Sequence, residues 1–287
     1  MAKQSHSTQD TSSTAETVQV PTAGASPRPS VHMILQKKGG AGKSVIASLL
    51  AQWLTYTALC AEDEANVRVP MCIDTDPLNK TFTRYDGQGF NVTHINIMDD
   101  DAIDSGKFDT FMEMILTMED KTDVVIDTGS SNFIPLIDYI RRRHVPAELE
   151  NSGFRFVIHT VITGGASLAE TLNSIDTIAF NLAAWRPLNM VVWENPYYGL
   201  IQTPSWSDFV KSQTYTENAT DIRAVIKLPK MRRELDARDF EMALERGHTF
   251  DAAIGEPTYP VMTRRGLSRL REQLWHVIED GFAKIGD

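Results

Sequence analysis

The stretch LQKKGGAGKSV, residues 35–45, restricts the fold more than any other part of the chain. It joins a short apolar run, residues 31–36, to a segment in which Val45, Ile46, Leu49, Leu50, Trp53 and Leu54 recur at helical spacing, so it predicts a strand, a loop and a helix in succession. At such a junction backbone N–H groups and the positive end of a helix dipole converge, and an anion satisfies both. Gly39, Gly40 and Gly42 let the main chain approach a phosphate with no Cβ in the way. Lys43 can then bridge β and γ oxygens, while the Ser44 hydroxyl can join a Mg2+ shell. With glycine usage of about 7%, a KGG-x-GK-[ST] string is rarer than about one in a million per starting position. A chance glycine-rich turn is the alternative, and the placement between strand and helix disfavours it.

The rest of the chain repeats the alternation. Apolar runs at 67–74, 92–98, 124–127, 154–163, 188–193 and 223–229 predict strands, and amphipathic segments near 107–119, 133–143, 235–246 and 261–284 predict helices. After the run at 154–163, Gly164 and Gly165 lead into a further helix, for which Ser167 and Glu170 predict a capping box. Strands that are apolar throughout, alternating with helices, imply an α/β fold: a mostly parallel twisted sheet with helices on both faces.

At 287 residues and 42% hydrophobic content the chain can bury one substantial core. Residues 1–30 have almost no large apolar side chains and predict a disordered tail without the apolar core of a signal peptide. Residues 31–287 then predict a single domain, with 195–220 as an insertion or lid. No uninterrupted apolar stretch is long enough to span a membrane. The formal charge of -10 argues against chain-wide attraction to DNA or anionic lipid, so any such contact must be local. Two cysteines, Cys60 and Cys72, form no metal or disulfide pattern, and a reducing cytoplasm is the simplest location.

The segment VVIDTGSSNF, residues 124–133, reads in two ways. Asp-Thr-Gly-Ser resembles the active-site stretch of pepsin-like aspartic proteases. It equally suits a buried parallel strand carrying a metal-linked carboxylate, Asp127, at its tip. An aspartic protease needs two such turns to share a proton, and the only second candidate, residues 104–106, follows the acidic run DDDAID, which reads as a solvated turn. The α/β pattern also argues against an almost wholly β protease, leaving only a protease dimer that shares Asp127 alone.

KKGGAGKS departs from the strict phosphate-loop pattern, with Lys37 at the first glycine position, and resembles the deviant Walker A loop of ParA and MinD type P-loop ATPases. The resemblance implies ATP and Mg2+ as cofactors, with Gly39, Gly40, Ala41, Gly42, Lys43, Ser44 and Val45 forming the phosphate cradle. It implies a nucleotide-dependent homodimer in which Lys38 reaches the partner's phosphates, supplying cationic charge as an arginine finger does. CIDTDPLNKTF, residues 72–82, is similar to the family's D-x-D-P segment, so Asp76 is implied to place the attacking water or the metal shell, supported by Asp74. Ser44, Asp76 and Asp127 are thereby the implied metal-side residues, and Thr128–Gly129 the opening of a nucleotide-sensing switch. Asn195 and Pro229 match the positions that hold the adenine.

Several further stretches, among them ITGGASLAETLNS and VVWENPYYG, make most of residues 31–230 similar to the TraL and StbB type proteins of conjugative plasmids. That resemblance implies a role in conjugal transfer or in plasmid stability and positioning, with a plasmid-encoded protein partner. DNA or peripheral membrane contact stays open. Arg141–Arg143 suit a helix end, Lys227, Lys230, Arg232 and Arg233 cluster near the expected nucleotide edge, and Arg264, Arg265, Arg269 and Arg271 begin the last helix, where positive charge opposes the dipole. The stripe Leu267, Leu270, Leu274, Val277 and Ile278 reads as core. Two other classes remain: a nucleotide-dependent adaptor that does not hydrolyse, suggested by Lys37 crowding the loop, and a P-loop phosphotransferase or ligase.

Overall fold

A computed structural model of the chain describes residues 28–60, 67–99, 102–231 and 236–285. Of the tail expected at 1–30, residues 1–27 lie outside the described residues, as do Asp100, Asp101, Arg232 and Arg233.

The run at 31–36 forms β1 (Ser30–Ile34), the middle strand of a seven-stranded sheet. On one side of it lie β6 (Val124–Asp127), β2 (Met71–Asp74) and β3 (Val92–His94), in that order outward. On the other lie β7 (Arg155–Thr163), β8 (Met190–Asn195) and β9 (Ile222–Lys227). Every pairing in this sheet is parallel. A parallel strand needs a crossover, and the sequence supplies helices for that purpose.

Alternation along each strand feeds two separate cores. Val31, Met33, Ile73, Val124, Ile126, Ile158, Met190 and Val192 point to one face. There they meet α2 (Ser105–Leu116), α3 (Phe133–Arg142), α4 (Val145–Asn151) and α5 (Leu168–Asn181). Ile34, Cys72, Val125, Val157, Val161, Val191, Trp193 and Ile226 point to the other, covered by α1 (Lys43–Leu59), α7 (Arg238–Arg246), α8 (Phe250–Gly255) and α9 (Val261–Phe282). The stripe Leu267, Leu270, Leu274 and Ile278 of α9 lies buried in that second core, with Val277 packed against it. This is the expected α/β architecture with helices on both faces.

Three expectations need correction. The run 92–98 is not one strand: β3 ends at His94, the Asn96 side chain accepts from the Met98 N–H, and Met98 turns into a small antiparallel pair, β4 (Met98–Asp99) with β5 (Ala102–Ile103). The capping box at Ser167 and Glu170 does not form. A 3-10 turn over Gly165–Ser167 runs into α5, Ser167 is already helical, and its side chain makes no cap bond. The run 67–74 is strand only from Met71. The segment 195–220 carries α6 (Gln213–Asn218) and sends Ile201 and Phe209 into the first core.

Arg28 fastens the entry to β1 at the amino edge of the sheet. Its guanidinium donates to the carbonyls of Glu150, Gly153 and Phe154 and pairs with the Glu150 carboxylate at 2.6 Å. Beneath α9, a one-way hydrogen-bond chain crosses the sheet. The Trp193 indole donates to His159 Nδ1 at 2.9 Å, which places the His159 proton on Nε2 and directs it to His32 Nδ1 at 3.0 Å. Phe282 of α9 packs on both imidazoles.

Candidate functional site

The carboxyl ends of β1, β6 and β2 come level: Ile34 pairs with Asp127, and Asp127 with Asp74. From β1 the chain passes to β2 and β3 on one side and, after β6, crosses to β7 on the other, so this edge is also where an open parallel sheet leaves a crevice for ligands. The glycine-rich loop starts there. Gly40 and Gly42 hold φ of 74° and 106°, a left-handed conformation that a side chain would strain. Gly42 occupies the N-cap of α1 with no side-chain cap, so the first-turn N–H groups of that helix have no protein oxygen assigned to them by a cap. A Cβ on Gly42 would also come within 2.9 Å of the Asn195 amide.

Lys43 is 7% exposed and Asp127 fully buried, so neither charge is well solvated. Burial pulls the Lys43 ammonium below its usual range, opposed by Asp127 and then Asp76. Burial likewise pushes the Asp127 carboxyl up to about 7, opposed first by the Ser44 hydroxyl beside it, while Asp74 adds to the rise. Neither Asp127 oxygen has a hydrogen-bond partner of ordinary geometry, even with Ser44 close by. A lysine and a carboxylate held dry together without satisfying one another suit a ligand that brings both signs of charge. Phosphate oxygens would suit Lys43 and the helix N–H groups, and a cation would suit Asp127. Among the described residues there is no cluster of three or more His, Cys, Asp or Glu able to hold a metal alone.

Asp74 is a buried anchor. It accepts from the Asp76 N–H at 3.1 Å and from the N–H and hydroxyl of Thr83, both at 3.0 Å. It thereby fixes the start of the turn that carries Asp76, whose own Oδ1 accepts from Leu78 and Asn79 N–H groups. Gly129 lies against this turn; a Cβ there would meet Asp76 and Pro77 at 3.2 Å. Asp76, Asp127 and the Thr128–Gly129 segment are thus brought together, as are Lys43 and Ser44.

Lys38 takes a position within its own chain. Its ammonium pairs with Glu170 of α5 at 2.9 Å, and its N–H donates to Gln36 Oε1 at 3.0 Å. Gln36 is buried, donates to the Val161 carbonyl at 2.7 Å and accepts from Ser174 of α5. Glu170, expected as a cap partner, therefore faces the loop instead. Lys37 is exposed.

Asn195, at the end of β8, donates to the Ala41 carbonyl at 3.0 Å and so touches the loop directly. Pro229 stands at the same edge: the preceding Leu228 N–H donates to the Glu194 carbonyl at 3.0 Å. Tyr198, part of the ENPYYG segment but with no role read from it, donates its hydroxyl to the Gly40 carbonyl at 3.1 Å. Composition alone gives no reason to expect that contact; the only signal was two aromatics directly after a strand end.

The basic groups resolve differently. Arg141 and Arg142 pair with Asp138, Arg143 with Asp109, Arg271 with Asp251, and Lys227 with Asp208 at 2.9 Å. No helix among the described residues is long and apolar enough to cross a membrane.

No protein-family model matches the chain. Two Escherichia coli proteins described as Protein TraL are similar to it. One is 38% identical over 250 residues, 87% of this chain and 97% of its own length, and the other 39% identical over 249 residues with the same two shares. A solved structure of a plasmid partition protein from Borrelia burgdorferi B31, bound to AMPPNP, covers 86% of this chain and 99% of its own at 12% identity, with a TM-score of 0.39 that marks only a partial superposition.

Proposed function

The chain belongs to the TraL family, and from that premise we propose that it is a nucleotide-dependent switch, an ATPase that dimerises around MgATP and serves plasmid transfer or plasmid stability. The observation that carries this reading is the dry, mutually unsatisfied pair of Lys43 and Asp127 beneath an uncapped helix start.

In this reading the N–H groups from Gly39 to Val45 bind the phosphates and Lys43 neutralises the β and γ oxygens. Ser44, Asp127 and Asp76 would hold Mg2+. When bound, the ion supplies positive charge at the transferring phosphoryl group. Asp76, set in place by Asp74, orients the attacking water. Lys38 supplies charge to the phosphates of a second copy after leaving Glu170. Both partners of that ion pair are more than a third exposed, 37% and 42%, so the pair holds by no more than about 1 kcal/mol and yields readily to a triphosphate. Asn195 and Pro229 border the base.

Calorimetric titration of MgATP, together with phosphate release and light scattering, tests the reading. Lys43→Ala is expected to abolish the binding heat, and Lys38→Ala to bind while failing to dimerise or hydrolyse. If both variants keep the parent's ATPase rate, the mechanism is wrong. Binding and dimerisation with no phosphate release above the Lys43→Ala background would identify the adaptor instead.

A further inference from the structure

Two consecutive carbonyls of the phosphate loop are held from outside by one neighbouring loop. Tyr198 donates to the Gly40 carbonyl at 3.1 Å, and Asn195 donates to the Ala41 carbonyl at 3.0 Å. When a loop turns its N–H groups inward to an anion, its carbonyls turn outward and need donors of their own. The bracing loop is itself firmly set. Asn195 Oδ1 accepts from the Tyr197 N–H at 3.1 Å, and the two tyrosine rings stand edge to face with centroids 4.9 Å apart. Behind them the Gly199 carbonyl lies so close to Gly164 that a Cβ there would come within 2.4 Å of it.

The brace is also tied outward. Tyr197 donates its hydroxyl to Glu241 of α7 at 2.8 Å, and Asp239 of the same helix accepts from Thr263 in the first turn of α9 at 3.2 Å. Tyr197 and Tyr198 are 56% and 55% exposed, so burial alone does not account for two aromatics here, whereas both hydroxyls have a defined partner.

We propose that Tyr198 is a positioning residue for the nucleotide, holding the Gly40–Ala41 segment in its phosphate-binding shape, and that the Tyr197–Glu241 bond transmits the state of that segment to α7. The proposal rests on the nucleotide-site reading above. It makes the first turns of α7 and α9 the part of the surface that registers nucleotide.

The test is MgATP titration calorimetry on the full chain, with thermal unfolding of the nucleotide-free protein measured alongside. Tyr198→Phe, which removes one hydrogen bond and keeps the ring, should weaken MgATP about 3- to 10-fold and leave the unfolding temperature of the free chain unchanged. A residue that only supported the fold would move the second measurement instead. Tyr197→Phe and Glu241→Leu, each of which removes one partner of the bond, should each weaken MgATP about 2- to 5-fold, and the double variant should be no weaker than either single one. Parent-like affinity in Tyr198→Phe and in Tyr198→Leu overturns the brace, and additive effects of Tyr197→Phe and Glu241→Leu overturn the link to α7. A parent chain that gives no heat with MgATP overturns the nucleotide site, and the brace with it.

Discussion

At the scale of single residues, the apo site is built against its own stability. The Asp127 carboxyl, pushed up to about 7 by burial from an ordinary 3.8, favours folding below the lower value and loses that contribution as pH rises through the upper one. Asp127→Asn keeps the shape and removes the charge. Above pH 7 the nucleotide-free variant should therefore unfold at higher denaturant than the parent, by up to about 4 kcal/mol, and the difference should shrink toward pH 4. Urea titrations at both pH values read this directly, and a variant less stable than the parent at pH 8 would refute it. Lys38 and Glu170 give a prediction of opposite character. Their half-exposed pair contributes at most about 1 kcal/mol, so Glu170→Gln should leave unfolding unchanged while freeing Lys38. On the proposed switch mechanism, sedimentation with saturating MgATP should then find the dimer at lower chain concentration than in the parent. Why Lys43, Ser44 and Asp127 were legible in the sequence and Glu170 and Tyr198 were not is a matter of distance. The first three sit on a short motif or at a strand tip, where spacing fixes placement. Glu170 and Tyr198 reach the loop across 132 and 158 positions of sequence, a pairing that only the packing of α5 and of the β8 loop creates.

At the scale of elements, runs that are apolar throughout announced the parallel strands, because a strand buried on both faces has no polar side to show. The short helices α4, α6 and α8, of six or seven residues each, were missed since so few turns leave no periodicity to read. Two of them carry a local signal: Ser212 caps α6 by accepting from the Tyr215 N–H, and Thr249 caps α8 by accepting from the Ala252 N–H. The split of the 92–98 run likewise turns on one side chain, Asn96. The contact between α9 and β9 yields a test. Gly281 lies so close to Ile226 that an added Cβ would meet its Cγ1 at 2.5 Å. Helix propensity favours alanine over glycine by about 1 kcal/mol, whereas forcing apart a packed core costs about 1–3 kcal/mol. Gly281→Ala should therefore lower the unfolding temperature despite its better propensity, and an increase would show that the helix shifts freely on the sheet.

At the scale of the whole molecule, the imidazole chain beneath α9 couples acidity to the fold. Burial lowers His32 to about 3, helped by the positive charge of Arg155, and lowers His159 well below its ordinary 6.5, helped by His32; an added proton on either Nδ1 would also face a donor. Both folded-state values lie under the unfolded one, so their contribution is complete above pH 6.5 and declines as pH falls toward 3. The two together set a slope of at most about 3 kcal/mol per pH unit in that window. Replacing both by methionine should flatten the dependence of unfolding free energy on pH between 6 and 4 by about that amount, whatever it does to stability at pH 8. An unchanged slope would mean the imidazoles are not the groups that titrate. The same long axis of the sheet decides how the protein can be handled. Arg28 clamps the start of β1 at one rim, and the phosphate loop leaves β1 at the opposite rim, a strand length of about 17 Å away. A chain immobilised on a sensor chip through a tag ahead of Arg28 is therefore grasped by its base, with its mouth turned to the flowing solution and free to receive whatever is passed over it.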